Sequence, residues 1–293
     1  MPTPAAEVDV DVPLVRSLLR DQHPDLAGLP LEVVANGWDN VVLRLGDDLA
    51  VRVPRRELAA RLVEHEQRWL PDIAARVGSV VPVPAPVRTG RPALGYPWSW
   101  SIVPWLPGTS IGERAAGIPV AEALAAFVGL LHVPAPDDAP ANPFRAVPLA
   151  SRSDAVLTRL DEHGVHRAGE LATLWRTAAA VPVPAHAGPP VWVHGDMHPF
   201  NLLVDSSDGV DRLSAVVDFG DVTAGDPAVD LATAWLTLDR PGRSAFRARV
   251  AASDATWLRA RGWVVALASA LATADERAFR SVARRSIDAV LDD

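Results

Sequence analysis

The sequence predicts an α+β protein of two lobes, a small antiparallel-sheet lobe followed by a larger, mainly helical one. Three observations predict it. Short apolar runs at 31–35, 41–45 and 49–53 are separated by turn residues, the signature of an antiparallel meander. An apolar strand at 98–103 runs into Pro-Trp-Leu-Pro-Gly at 104–108, which marks a boundary. Beyond it the pattern is helical except for one polar block at 191–219. A chain of 293 residues is long enough for two domains, placed here at 1–105 and 106–293.

Taken in order, Val12, Val15, Leu18 and Leu19 fall at helical spacing in 12–21. The three strand runs follow, with Asn-Gly-Trp-Asp-Asn at 36–40 and Gly-Asp-Asp at 46–48 between them. From 57 to 75 the pattern is helical, with Leu58, Leu62, Trp69, Leu70 and Ile73 assigned to the apolar face. Pro82, Pro84 and Pro86 stop any helix, and the 98–103 strand closes the first lobe. In the second lobe, helices are expected at 120–132, 151–163 and 167–180. Pro182, Pro184, Pro189 and Pro190 interrupt that region. The 191–219 block reads as strand, loop, strand, turn, strand, and four helical segments are expected from 227 onward.

Composition excludes several chemistries. All 28 basic residues are arginine, and there is neither lysine nor cysteine. A Schiff-base lysine, a GxxxxGK[ST] phosphate loop, a thiolate nucleophile, a disulfide framework and a cysteine zinc site are therefore ruled out. The net charge of −8 offers no global attraction to nucleic acid or to an anionic membrane. No apolar run free of charge and proline reaches the ~18 residues of a membrane span. The acidic start of the chain lacks the basic and apolar regions of a signal peptide, so a cytoplasmic location is expected. His132, His163, His166 and His186 do not share zinc-ligand spacing. Arg277, Arg280, Arg284 and Arg285 read as a solvated helix face.

The densest chemistry is His-Gly-Asp-Met-His-Pro-Phe-Asn at 194–201, between two strand-like runs. Val-Val-Asp-Phe-Gly-Asp at 216–221 and Gly-Asp-Pro-Ala-Val-Asp at 225–230 follow. Asp196 and Asn201 place a carboxylate and a carboxamide on one loop, and Asp218 adds a second carboxylate at a strand end. Magnesium takes such hard oxygen ligands, one or two carboxylates with phosphate oxygens and water. Phosphoryl transfer needs this set: a positioned metal, a positioned nucleotide and a carboxylate oriented on the attacking hydroxyl.

These motifs resemble the aminoglycoside phosphotransferase/choline kinase group, which has the bilobal protein-kinase-like fold. The resemblance extends to the 36–40 turn, Val-Arg-Val-Pro at 51–54 and Val-Glu-His-Glu at 63–66, and so spans 31–238. It implies that Asp196 is the catalytic base, that His194 supports the catalytic loop, and that Asn201 and Asp218 bind Mg2+. Asp230 would fix that loop from the following helix start, where a carboxylate also suits the helix dipole. Asn36, Gly37 and Asn40 would cover the phosphates, and Ile102, Val103 and Trp105 would meet the nucleotide base at the hinge. The strand lysine of this fold is replaced by Arg52, with Glu66 as its partner and Glu64 as second choice. Arginine can grip phosphate oxygens bidentately but is longer and planar. Val51 and Val53 alternate around Arg52, so it faces opposite to them.

The resemblance implies an enzyme that moves the γ-phosphoryl group of ATP or GTP to a hydroxyl of an antibiotic, of aminoglycoside, macrolide, peptide or nucleoside type. No concentrated acidic stretch suited to a polycation accompanies the motifs, and the ten tryptophans lean toward a less charged, ring-bearing acceptor. Trp38, Trp98, Trp100 and Trp105 are the candidates to line the cleft. His198 is placed in the loop packing, and Asp221 and Asp226 are either electrostatic contributors or turn-forming acids. Two other readings stay open: a metabolic kinase for a choline-, homoserine- or sugar-like hydroxyl, and a nucleotide-binding pseudoenzyme motivated by the missing lysine.

Overall fold

The computed structural model describes residues 5–37, 39–183 and 188–293. Trp38, Pro184 and His186 lie outside the described residues. The chain divides into two compact units, one of residues up to Gly78 with Pro82–Pro107 and one of Ser79–Val81 with Gly108–Asp293.

The first unit begins with helix α1 (Val12–Gln22). The Asp11 carboxylate caps it by accepting from the Leu14 amide at 2.8 Å. Strands β1 (Leu31–Asn36), β2 (Asn40–Leu45) and β3 (Leu49–Pro54) form the meander. Helix α2 (Glu57–Val77) follows, then β4 (Arg88–Gly90) and β5 (Trp100–Pro104). The antiparallel sheet has the order β1-β2-β3-β5-β4, and the β1–β2 register shifts between Val33 and Ala35. Val15, Leu18 and Leu19 of α1 pack with Val41, Leu43, Leu45, Val51 and Val53 as the core. Strand alternation turns Arg52 away from that core, to the face that α2 covers.

The apolar face assigned to α2 needs correction. Leu58 is 60% exposed, whereas Ala59, Val63, Glu66, Leu70, Ile73 and Val77 are buried. The inward stripe follows the i, i+3, i+4 spacing of a helix face, with a charged residue at its centre. Trp100 is also corrected: it is fully buried in the core and lines nothing. Its indole lies across Gly90, where a Cβ would fall 1.8 Å from the ring, so β4 passes it only as glycine.

The second unit opens with β6 (Thr109–Ser110), α3 (Ile118–Leu131) and a 3-10 turn at Leu149–Arg152. Helices α4 (Ser153–Glu162) and α5 (Ala168–Ala179) follow. Strands β7 (Val191–Val193), β8 (Leu202–Asp205), β9 (Arg212–Val216) and β10 (Thr223–Gly225) come next. The chain ends in α6 (Ala228–Leu231), α7 (Thr233–Thr237), α8 (Arg240–Arg249), α9 (Asp254–Ala272) and α10 (Arg277–Leu291). The described residues thus hold five helices after 227 rather than four, because the chain turns at Ala232 between two short ones. β7 pairs with β10, and β8 lies between β6 and β9. No described helix is long and apolar enough to cross a membrane.

Arg285, expected on a solvated helix face, is half-buried, and Asp226 is fully interior. Arg285 donates to backbone carbonyls of Glu113, Arg114 and Leu236, tying α10 to the loop after β6 and to α7. Asp226 is 5% exposed and forms a buried ion pair with Arg259 of α9, at 2.6 and 3.1 Å. Removing one partner of a buried pair leaves the other charge uncompensated, which costs about 3–5 kcal/mol. Arg259→Ala is therefore expected to lower unfolding free energy by about that amount in denaturant titration. A loss below ~1 kcal/mol would place the pair in solvent rather than in the core.

Candidate active site

The residues singled out from the sequence fall into two groups, one in each compact unit. In the first unit, Arg52 Nη1 donates to Glu66 Oε1 at 2.9 Å, and both side chains are buried. Glu66, not Glu64, is the partner; Glu64 accepts from the Ser99 hydroxyl instead. In the turn after β1, the Gly37 amide donates to the Asn40 carbonyl at 3.0 Å. Arg55 spans the turn, donating to Asn36 Oδ1 at 2.7 Å and to the Gly37 carbonyl at 3.1 Å. The Asn36 side chain is thus held from the end of β3. Arg55 had no distinguishing pattern in the sequence beyond its basic neighbours.

At the expected hinge, backbone groups of Ile102, Val103 and Trp105 are engaged within the sheet. Ile102 lies inside the sheet, where its carbonyl accepts from the Val87 amide at 2.8 Å. The Trp105 amide donates to the Asp48 carbonyl at 2.7 Å, and Val103 pairs with Ala50 of β3. Antiparallel ladders alternate the side to which successive residues turn their polar groups. Val103 and Trp105 therefore face β3, and the Pro104 carbonyl turns the other way, past the last β4 pair at Ile102. Arg44 lies over the Trp105 ring at 4.9 Å, so that indole is a cation platform within the sheet unit.

In the second unit the 194–201 motif occupies the connection from β7 to β8. Its backbone is clamped by one buried carboxylate. The His194 and Gly195 amides donate to Asp230 Oδ2 and Oδ1 at 2.9 and 2.8 Å. His132, at the end of α3, reaches Asp230 Oδ2 at 3.0 Å. Gly195 has φ +85°, and a Cβ there would meet the Asp221 carbonyl oxygen at 2.7 Å, so only glycine makes this bend. His194 is fully buried: Nε2 donates to the Val217 carbonyl at 3.0 Å, and Nδ1 accepts from the Asp196 amide at 3.2 Å. Its ring packs on Phe219 at 4.5 Å. His194 thus braces the loop from beneath and sets the direction of the Asp196 backbone.

Asp230→Asn keeps the shape but removes the charge and one acceptor oxygen. Hydrogen bonds to charged groups are each worth about 1.5–3 kcal/mol. The variant is expected to lose at least about 1.5 kcal/mol of stability, read by thermal or denaturant unfolding. An unchanged midpoint would show that the loop does not need this clamp.

The Asp196 side chain meets Arg145 Nη2 at 3.3 Å on Oδ1 and His198 Nε2 at 3.5 Å on Oδ2. Burial alone pushes this carboxyl up, but His198, Arg145 and His194 together bring it below the ordinary carboxylate value. Asp221 goes the other way: burial raises it, and Asp196 and Asp218 add to that against the pull of Arg145. Arg145 also lies 3.3 Å from Asp221 Oδ2 through Nε. Neither Arg145 nor His132 was legible as part of this site, because each comes from a distant segment with no local motif.

Asn201 and Asp218 end adjacent antiparallel strands. Leu202 pairs with Val216, and the Val217 amide donates to the Asn201 carbonyl at 2.9 Å. Asn201 Nδ2 donates to the Asp196 carbonyl at 3.0 Å, which points its Oδ1 the opposite way. Asp218 is exposed and held at φ +64°, a conformation that non-glycine residues adopt at a cost of order 1–3 kcal/mol. One carboxamide oxygen and one strand-end carboxylate suit magnesium, which completes its shell with phosphate oxygens and water. Among the described residues no group of three or more His, Asp or Glu side chains could by itself hold a metal.

A loop that sets a carboxylate able to accept a hydroxyl proton beside a pair of hard oxygen ligands is the equipment of a kinase-type phosphotransferase. Comparison with known proteins agrees. The profile of the phosphotransferase enzyme family (APH) matches residues 30–263, and the chain belongs to that family. A 40-residue segment is 55% identical to viomycin phosphotransferase of Streptomyces vinaceus and spans 14% of this chain and 14% of that protein. The GDP complex of aminoglycoside 2'-phosphotransferase-IIIa superposes with a TM-score of 0.67 at 16% identity, over 97% of this chain and 99% of that one. A macrolide 2'-phosphotransferase from Brachybacterium faecium gives 0.58 at 20% identity, over 95% and 98%. At these identities the structural likeness establishes the protein-kinase-like α+β fold.

Proposed function

We propose that this phosphotransferase moves the γ-phosphoryl group of ATP or GTP to a hydroxyl of an antibiotic and thereby confers resistance. The observation that carries the reading is Asp196, a carboxylate held below its ordinary protonation range at the turn of a clamped loop, with Asn201 braced against its carbonyl. In this reading Asp196 is the base that orients the acceptor hydroxyl and takes its proton as the oxygen attacks. His194 and Asp230 keep the loop in place. Asn201 and Asp218 hold Mg2+, which when bound neutralises charge on the phosphate oxygens.

The lobe of 1–105 serves the nucleotide and that of 106–293 the acceptor. Arg52, kept in place by Glu66, anchors phosphate oxygens. The turn at Asn36, Gly37 and Asn40, closed by Arg55, covers the phosphates. The backbone at Pro104 meets the base. Little covalent work falls to the protein, so positioning and electrostatics supply the rate. An antibiotic acceptor is supported by the names of the relatives, which act on viomycin, aminoglycosides and macrolides. A GDP-bound neighbour supports a nucleotide donor.

The reading is tested by expressing the chain in a susceptible bacterium and measuring inhibitory concentrations for viomycin, aminoglycosides, macrolides and nucleoside antibiotics. At least one drug is expected to lose potency with the parent chain and to keep it with Asp196→Ala. A parent chain that protects against none of them would overturn the resistance role.

A further inference from the structure

We propose that Arg145 is a positioning residue for the phosphoryl transfer: it pins one oxygen of Asp196 and offsets the charge of Asp221, leaving the other Asp196 oxygen to the acceptor hydroxyl. This deepens the reading of Asp196 as the base and rests on it.

Arg145 comes from a proline-rich stretch between α3 and the 3-10 turn, yet its backbone is fastened to the catalytic region at several points. The Pro140 carbonyl accepts from the Thr223 hydroxyl at 2.7 Å. The Asn142 amide donates to Thr223 Oγ1 at 3.0 Å, and Asn142 Oδ1 accepts from the Phe144 and Arg145 amides at 2.8 and 3.1 Å. The Ala146 carbonyl accepts from the Asp226 amide at 3.1 Å, and at Gly225 a Cβ would overlap Ala146 at 2.5 Å. The segment is therefore fixed, and it delivers a guanidinium between two carboxylates at 3.3 Å from each.

The two contacts differ in kind. Nη2 donates a hydrogen bond to Asp196 Oδ1, which fixes the rotation of that carboxylate. Nε is buried without a hydrogen-bond partner, so its hold on Asp221 is by charge alone. Asp221 is oriented instead by Asn142 Nδ2 at 2.7 Å. On the other side of the base, His198 Nε2 is 3.5 Å from Oδ2, too long to close that oxygen to a hydroxyl. Without the cation, Asp196 would keep Asp221 as a like-charged neighbour and lose the contact that sets its rotation.

The test uses the drug against which the parent chain protects, with ATP or GTP, and compares kcat and KM. Misplacing a reacting group by about 1 Å costs up to ~10²-fold. Arg145→Met is expected to lower kcat by ~10- to 10²-fold with nucleotide KM unchanged. Arg145→Lys, which keeps the charge without the fork, should recover part. Adding Asp221→Asn to Arg145→Met should also raise kcat, since it removes the charge the arginine offsets. A merely structural role would lower the melting temperature but would not yield this recovery. Parental kcat in Arg145→Met, or no gain from the added Asp221→Asn, would overturn the inference. Asp196→Ala separates the two readings. If it is inactive while Arg145→Met keeps the parental kcat, only this inference fails; if it turns over like the parent, the reading of the base fails with it.

Discussion

Asp196→Ala is expected to lower kcat at least ~10²-fold while the protein still binds nucleotide. General-base assistance is typically worth ~10²–10⁴ in rate, and ~10² corresponds to about 2.7 kcal/mol of transition-state stabilisation. The loop should survive the change, because its clamp does not use the Asp196 side chain. The His194 and Gly195 amides bond to Asp230, and the Asp196 amide and carbonyl bond to His194 and Asn201 through the backbone. The proposed phosphate anchor, Arg52 with Glu66, belongs to the other compact unit. Nucleotide affinity by calorimetry should therefore stay near the parent value as turnover collapses. Near-full turnover in the alanine variant would remove Asp196 from the chemistry.

The second large effect is expected at Arg52, the one basic side chain on β3 and the proposed phosphate anchor. Arg52→Ala should weaken nucleotide use severely, and it should also destabilise the protein. Glu66 is 1% exposed, and an uncompensated buried carboxylate costs about 3–5 kcal/mol. The two losses can be separated. In the double variant Arg52→Ala with Glu66→Leu, the stranded charge is gone, so much of the stability should return while nucleotide use stays impaired. Arg52→Lys should keep part of the activity, because a compact cation at this position still offsets phosphate charge. Melting temperatures and nucleotide KM for the three variants read both effects. If alanine and lysine variants both use nucleotide like the parent, Arg52 is not the phosphate anchor.

The meander of the first unit was legible because each strand is an apolar run of five or six residues bounded by glycine, asparagine and aspartate. β4, β6 and β10 were not, since two or three residues carry no periodicity. The burial of α2 was misread at Leu58 because an apolar residue one position off the seam looks inward, while the true seam contains Glu66. The ion pair of Arg52 with Glu66 was legible through the motif spacing of the family, and strand alternation gave the side on which Arg52 lies. The support around Asp196 was only half visible. Asp230 stands in a recognisable motif, but His132 reaches it across 98 residues and Arg145 reaches Asp196 across 51. Contacts of that span are made by topology, and no local pattern announces them. The backbone directions at 102–105 were hidden for a similar reason: the direction of a backbone carbonyl depends on ladder pairing, which the side-chain sequence does not encode.

The central claim is transfer of a phosphoryl group to a drug hydroxyl, and mass spectrometry tests it most directly. The protein would be incubated with magnesium, ATP or GTP, and a panel holding viomycin, aminoglycosides, macrolides, nucleoside antibiotics, choline, homoserine and simple sugars. The account predicts that one drug gains the mass of a single phosphoryl group and that the Asp196→Ala protein fails to add it. Phosphorylation confined to choline, homoserine or a sugar, or no mass gain on any acceptor with either nucleotide, would contradict it.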